Sequence, residues 1–163
     1  GRYNYALLLE PEGQNQLNSL AKNFAEGADY CIGLTSFAHL TLMQFYLPQE
    51  KDMEKFWEEV KEILPITQLD LELTRLVHRV APKANWLELR IAADFLRRRG
   101  MPCLTKSYEN FTPHVTLFRT QVFFKAFSEM EEAFHQIKTK KVKANLVLVK
   151  RVNWESFFRG FIP

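Results

Sequence analysis

Apolar and polar positions divide the chain into stretches of strand period and helix period. Tyr3 to Leu9 is an apolar run of strand length, broken by Pro11-Glu12-Gly13. From Gln14 to Phe24 the period lengthens: Leu17, Leu20, Ala21 and Phe24 share one side of a helix, which Gly27-Ala28-Asp29 closes. His39 to Leu47 alternates imperfectly and reads as a strand ending at Pro48. Lys51 to Leu64 is a helix with Met53, Phe56, Trp57, Val60, Ile63 and Leu64 in one stripe, stopped by Pro65. Leu69, Leu71 and Leu73 alternate with Asp70, Glu72 and Thr74, a half-buried strand that Val77 to Val80 continues. Pro82-Lys83-Ala84-Asn85 reads as a turn and Trp86 to Ile91 as the returning strand of a hairpin. Ala92 to Arg99 has helical character up to Gly100. Thr112-Pro113 leads into another strand. Phe123 to Ile137 carries Phe123, Phe127, Met130, Phe134 and Ile137 on one helical side, and Asn145 to Val149 and Val152 to Phe158 finish as strands.

The order is strand, helix, strand, helix, strands, then helix, strand, helix, strands. This imperfect internal duplication predicts an α+β fold of two similar lobes in one bilobal domain, residues 1–163, with no flexible linker.

The duplication carries chemistry. His39-Leu40-Thr41-Leu42 and His114-Val115-Thr116-Leu117 repeat one pattern. On a strand, His and Thr share a face and the apolar residues take the other. Each lobe therefore offers one imidazole and one hydroxyl to a shared cleft. Two imidazoles flanking a phosphate can act as general base and general acid, because their unperturbed pKa lies near neutrality. The hydroxyls can hydrogen-bond the non-bridging oxygens. In-line displacement at phosphorus needs a water activated on one side and the departing oxygen protonated on the other. Which histidine is the base, and whether hydrolysis or ligation is favoured, stays open at this level.

The second copy lies in Phe111-Thr112-Pro113-His114-Val115-Thr116-Leu117-Phe118-Arg119. Here the sequence resembles the two-histidine (2H) phosphoesterases, which include the 2′-5′ RNA ligase and cyclic phosphodiesterase proteins. Their mark is a pair of H-x-[ST] motifs, the second often reading P-H-[ILV]-T-[IL]-x-R. The chain matches at Pro113, His114, Thr116 and Arg119, and at His39 and Thr41. The resemblance implies antiparallel sheets from pseudo-duplicated halves around a central cleft, with helices outside. It implies His39 and His114 as catalytic residues and Thr41 and Thr116 as phosphate-binding residues. The implied activity is metal-independent phosphodiester chemistry on 2′,3′-cyclic phosphate or 2′-5′ linkages of RNA or oligonucleotides, with no cofactor.

Composition narrows the surroundings. Of 163 residues, 47% are hydrophobic and 25% charged, the balance of a soluble globular domain. No apolar run reaches the roughly 18 residues of a membrane span, and no secretory signal pattern opens the chain. Cys31 and Cys103 make no disulfide framework, so reduced thiols and a cytoplasmic location are expected. No C-x-x-C, H-x-x-x-H or H-E-x-x-H occurs, so no metal site is expected. The net charge of +3 is uneven: residues 1–80 balance at −5 and residues 81–163 at +8. A basic half suits a polyanionic ligand, and equally describes a solvated basic surface.

Several residues carry two readings. Strand parity puts Arg119 on the face opposite Thr116 and His114, so it either turns back past the strand end to phosphate or makes a structural salt bridge. Tyr3, Tyr5, Phe111 and Phe118 are candidates to stack on a base, with core packing the commoner fate of any one aromatic. Arg97-Arg98-Arg99 ends a helix and favours its dipole, or contacts an RNA backbone. His78 and His135 lack the threonine and read as ordinary histidines. Two other functions remain in play: a phosphodiesterase for a small nucleotide, such as ADP-ribose cyclic phosphate or 2′-5′ oligoadenylate, and a non-catalytic RNA- or nucleotide-binding module. Intact His and Thr in both motifs speak against the last.

Overall fold

A computed structural model describes residues 5–63, 68–92, 112–153 and 156–158. Strand β1 (Tyr5–Pro11) is followed by helix α1 (Gln14–Phe24) and strands β2 (Ala28–Cys31) and β3 (Leu40–Phe45). A turn of 3-10 helix at Glu50–Asp52 leads into α2 (Met53–Ile63). Then come β4 (Gln68–Ala81), β5 (Ala84–Ile91), β6 (His114–Thr120), α3 (Phe127–His135), β7 (Lys141–Asn153) and β8 (Ser156–Phe158). The fold is α+β, as expected. No helix among the described residues is long and apolar enough to cross a membrane.

Among the described residues every pairing between these strands is antiparallel. The order across the sheet is β2-β6-β5-β4-β7-β1-β3, with β8 on β7. Strand β4 divides its partners: residues 68–72 pair with β7 and residues 73–81 with β5. The chain's two halves interleave, since β2 from the first pairs with β6 from the second, and β7 from the second pairs with β1 from the first. The motif strands β3 and β6 stand near opposite ends of this order, yet they touch, so the sheet curls until its far strands meet.

Each element follows from its residues. Ala6, Leu7, Leu8 and Leu9 are all fully buried because β1 lies between β3 and β7 and is covered on both faces. Leu17, Leu20 and Ala21 bury one stripe of α1, which packs on β6 and α3. Leu69, Leu71 and Leu73 point inward from β4 while their neighbours face solvent. Together these side chains form one large core, which includes Leu42, Leu117 and Phe134. Cys31 lies within it, and burial raises its thiol pKa.

The sequence reading needs adjustment at several points. The strand expected at Asn145–Val149 runs from Lys141 to Asn153 and takes in the start of the one expected at Val152–Phe158. The segment at Ala28 does not only close α1; it starts β2, a four-residue edge strand too short to show a period. The helix expected from Phe123 begins at Phe127, because Phe124 turns its ring onto Phe118 (centroids 5.4 Å apart) and His78 (5.6 Å) instead of entering a helical turn. Residue His39 sits just before β3 rather than inside it. The helix expected at 92–99, with Arg97, Arg98 and Arg99, lies outside the described residues except for Ala92, as does Cys103.

Candidate active site

The two motifs are built alike. In each, the histidine ring turns back on its own backbone: Nδ1 of His39 lies 2.8 Å from the Phe37 carbonyl, and Nδ1 of His114 lies 2.7 Å from the Thr112 carbonyl. A carbonyl only accepts, so Nδ1 carries the proton in both neutral rings. That leaves Nε2 as the unprotonated nitrogen of each neutral ring. The His39 ring also stands 5.2 Å from the ring of Phe37.

The same bulge follows the threonine in both strands. In β3, Thr41 pairs with Leu8 and Met43 with Leu7, so Leu42 is the extra residue. In β6, Thr116 pairs with Glu88 and Phe118 with Leu87, so Leu117 is the extra residue. Both are the fourth residue of the motif, and both are buried. A bulge resets the alternation of faces. Beyond it, Gln44 returns to the face of Thr41, and Arg119 returns to the face of His114 and Thr116.

This overturns the parity expected for Arg119. It shares the motif face, but its guanidinium is engaged in the bidentate ion pair that was the structural alternative: Nε to Oδ1 of Asp29 at 2.9 Å and Nη2 to Oδ2 at 2.5 Å. It also lies over the Trp86 ring, 5.1 Å from the centroid. The hydrogen bond from Arg119 holds the Asp29 carboxyl below its ordinary pKa. The pair ties edge strand β2 to β6.

Two aromatic candidates prove to be core residues. Tyr5 is 1% exposed and stacks on Phe45, because odd positions of β1 face the main core while Leu8, opposite Thr41, faces the other way. Burial raises its hydroxyl pKa, with Glu50 adding to the effect. Phe118 is 0% exposed, since the bulge sends it inward beside Leu117. Neither ring is placed to stack on a base. Tyr3 and Phe111 lie outside the described residues. His78 has its own partner, Asn85 Oδ1 at 2.8 Å, and sits against Phe124 and Phe127.

The surroundings of the motifs differ. Beside Thr41, the face holds Ala6, Leu8, Val147 and Val149, packed with Phe37 in a second small core. Beside Thr116 stands Glu88, a carboxylate only 1% exposed. A buried charge needs partners. Glu88 has Arg79, whose Nη2 is 3.1 Å from Oε1, and Arg90, whose Nη2 is 3.4 Å from Oε2. His114 Nε2 is 3.9 Å from Oε1. Sequence reasoning missed Glu88: within Leu87-Glu88-Leu89 it looks like the solvent-facing member of an alternating strand.

No family model matches the chain, and a search of curated proteins returns no match. Among solved structures, the chain is similar in fold to Kluyveromyces marxianus Usb1 with uridine monophosphate. The TM-score is 0.54 at 9% identity, over 93% of this chain and 95% of that one.

Proposed function

We propose that the chain is a metal-independent 2H-type phosphodiesterase acting on 2′,3′-cyclic phosphate or 2′-5′ linkages of RNA or oligonucleotides. It is a single domain of two pseudo-duplicated lobes, each lending one motif. The observation that carries this reading is the doubled construction of His39-Thr41 and His114-Thr116. Each copy has the same back-bonded imidazole and the same bulge, and the two strands touch. A pattern repeated at this level of detail suits two groups performing matched proton transfers. The fold shared with a protein solved with uridine monophosphate supports a nucleotide-class ligand.

In the proposed reaction, Nε2 of one histidine takes a proton from water as the oxygen attacks phosphorus. The phosphorus–O2′ bond breaks on the opposite side, and the other imidazolium protonates the leaving 2′-oxygen through Nε2. The product is a 3′-phosphate with a free 2′-hydroxyl. Thr41 and Thr116 hydroxyls donate to the non-bridging oxygens, where charge develops.

The test is product analysis on short RNAs with 2′,3′-cyclic ends, in EDTA. Wild-type protein should open the ring, and folded His39→Ala and His114→Ala should each lose about 100- to 10,000-fold in rate. Near-normal turnover in either variant, or activity restored only by a divalent metal, defeats the proposal.

A further inference from the structure

The strand register next to His114 assembles an unusual sheet face. On β5, Arg90 pairs with His114, Glu88 with Thr116 and Trp86 with Arg119. On β4, Arg75 pairs with Arg90, Val77 with Glu88 and Arg79 with Trp86. Directly paired residues of antiparallel strands point to the same side. The motif face therefore continues across β5 to β4 and carries Arg75, Arg79 and Arg90 beyond the motif strand. With strands about 4.8 Å apart, Arg75 lies about 10 Å from the β6 backbone.

The ion pairs engage these arginines only in part. Glu88 anchors Arg79 and Arg90, and Arg79 Cζ lies over the Trp86 ring, 5.1 Å from its centroid. Yet Arg79 keeps a 49% exposed side chain, and Arg75 is exposed. Arg90 Nε is buried with no hydrogen-bond partner among the described residues. One carboxylate thus serves two guanidiniums, and a third stands beside them. The corresponding face of the other motif is apolar, with Ala6, Leu8, Val147 and Val149.

We propose that the Arg75–Arg79–Arg90 face is a platform for single-stranded RNA, on which the nucleotides preceding the reacting phosphate lie across β5 and β4. The inference rests on the phosphodiesterase reading and adds to it a direction: the body of the substrate extends over the second motif's sheet, away from the apolar face beside the first. Guanidiniums suit this role because they pair with phosphate oxygens and stack on bases with the same planar group. Continuity with the site and complementarity of charge select RNA over a protein partner.

The experiment measures binding of a labelled pentauridylate with a 3′-phosphate, by fluorescence anisotropy across a salt series. Each phosphate contact contributes a slope of about 0.7 in log Kd against log salt for a single strand. Arg75→Gln/Arg79→Gln should lower the slope by about 1.4 and weaken binding roughly tenfold at low salt. Arg75→Gln alone, at an exposed site, should lower the slope by about half as much. In kinetics, the double variant should lose the gain in kcat/KM that a pentanucleotide with a cyclic end shows over a cyclic mononucleotide. An unchanged slope in both variants overturns the platform, as does equally tight binding of a polyglutamate peptide of matched charge. If wild-type protein hydrolyses no cyclic end, the phosphodiesterase reading fails, while the anisotropy series still decides the platform.

Discussion

At the scale of single residues, the two histidines and two threonines of the candidate site stand out in the sequence because they repeat as a local pattern. Arg119 was legible as a residue of interest but not in its role, since that depends on Asp29, 90 positions away in sequence. Their ion pair has a pH consequence. The folded-state pKa of Asp29 is lowered, chiefly by the hydrogen bond from Arg119. The pair therefore stabilises the fold above the ordinary aspartate value of about 4, and this contribution is lost as pH falls through the lowered folded value. Asp29→Asn removes the titrating group. Urea denaturation at a series of pH values should show wild-type stability falling toward the variant's below about pH 4, with the gap widest near neutrality. A gap that stays constant across that range would mean that Asp29 contributes packing and no charge.

At the scale of elements, periodicity found α1 over Gln14–Phe24 and joined two segments correctly into the long β4. It could not find the bulges at Leu42 and Leu117. A bulge is a property of two strands in register, and neither strand alone records it. That is why simple alternation put Arg119 on the wrong face. The turns are more local and allow a sharper prediction. Gly33 and Gly27 both have positive φ, 84° and 71°. A Cβ at Gly33 would meet Cβ of Asn18 on α1 at 2.9 Å, whereas at Gly27 the nearest atom is Cγ2 of Val122 at 3.5 Å. Gly27→Ala should cost only the left-handed strain, about 1 kcal/mol, and Gly33→Ala about 2–3 kcal/mol because α1 must also shift. Equal losses in chemical denaturation would show that the helix yields freely and that the turn after β2 is not pinned against it.

At the scale of the whole molecule, the sequence suggested two similar halves but not how they interlock. Strand exchange between halves, and the curl that brings β3 to β6, depend on pairings between residues far apart in the chain, such as Tyr5 with Lys150 and Ala28 with Thr120. No local period encodes them. The curl gives meaning to the 75 residues that separate His39 from His114, because their strands meet across the molecule. In the proposed reaction the two rings act in one displacement, as acid and base of the same transition state. Groups that act as a unit are strongly non-additive. His39→Ala/His114→Ala should then lose little more than the worse single variant, and far less than the product of the two single losses. Single-turnover rates on a cyclic-ended RNA, with circular dichroism to verify folding, make the comparison. A double variant that falls by the full product would place the histidines in separate, independent steps, and the joined-site reading of β3 and β6 would have to be given up.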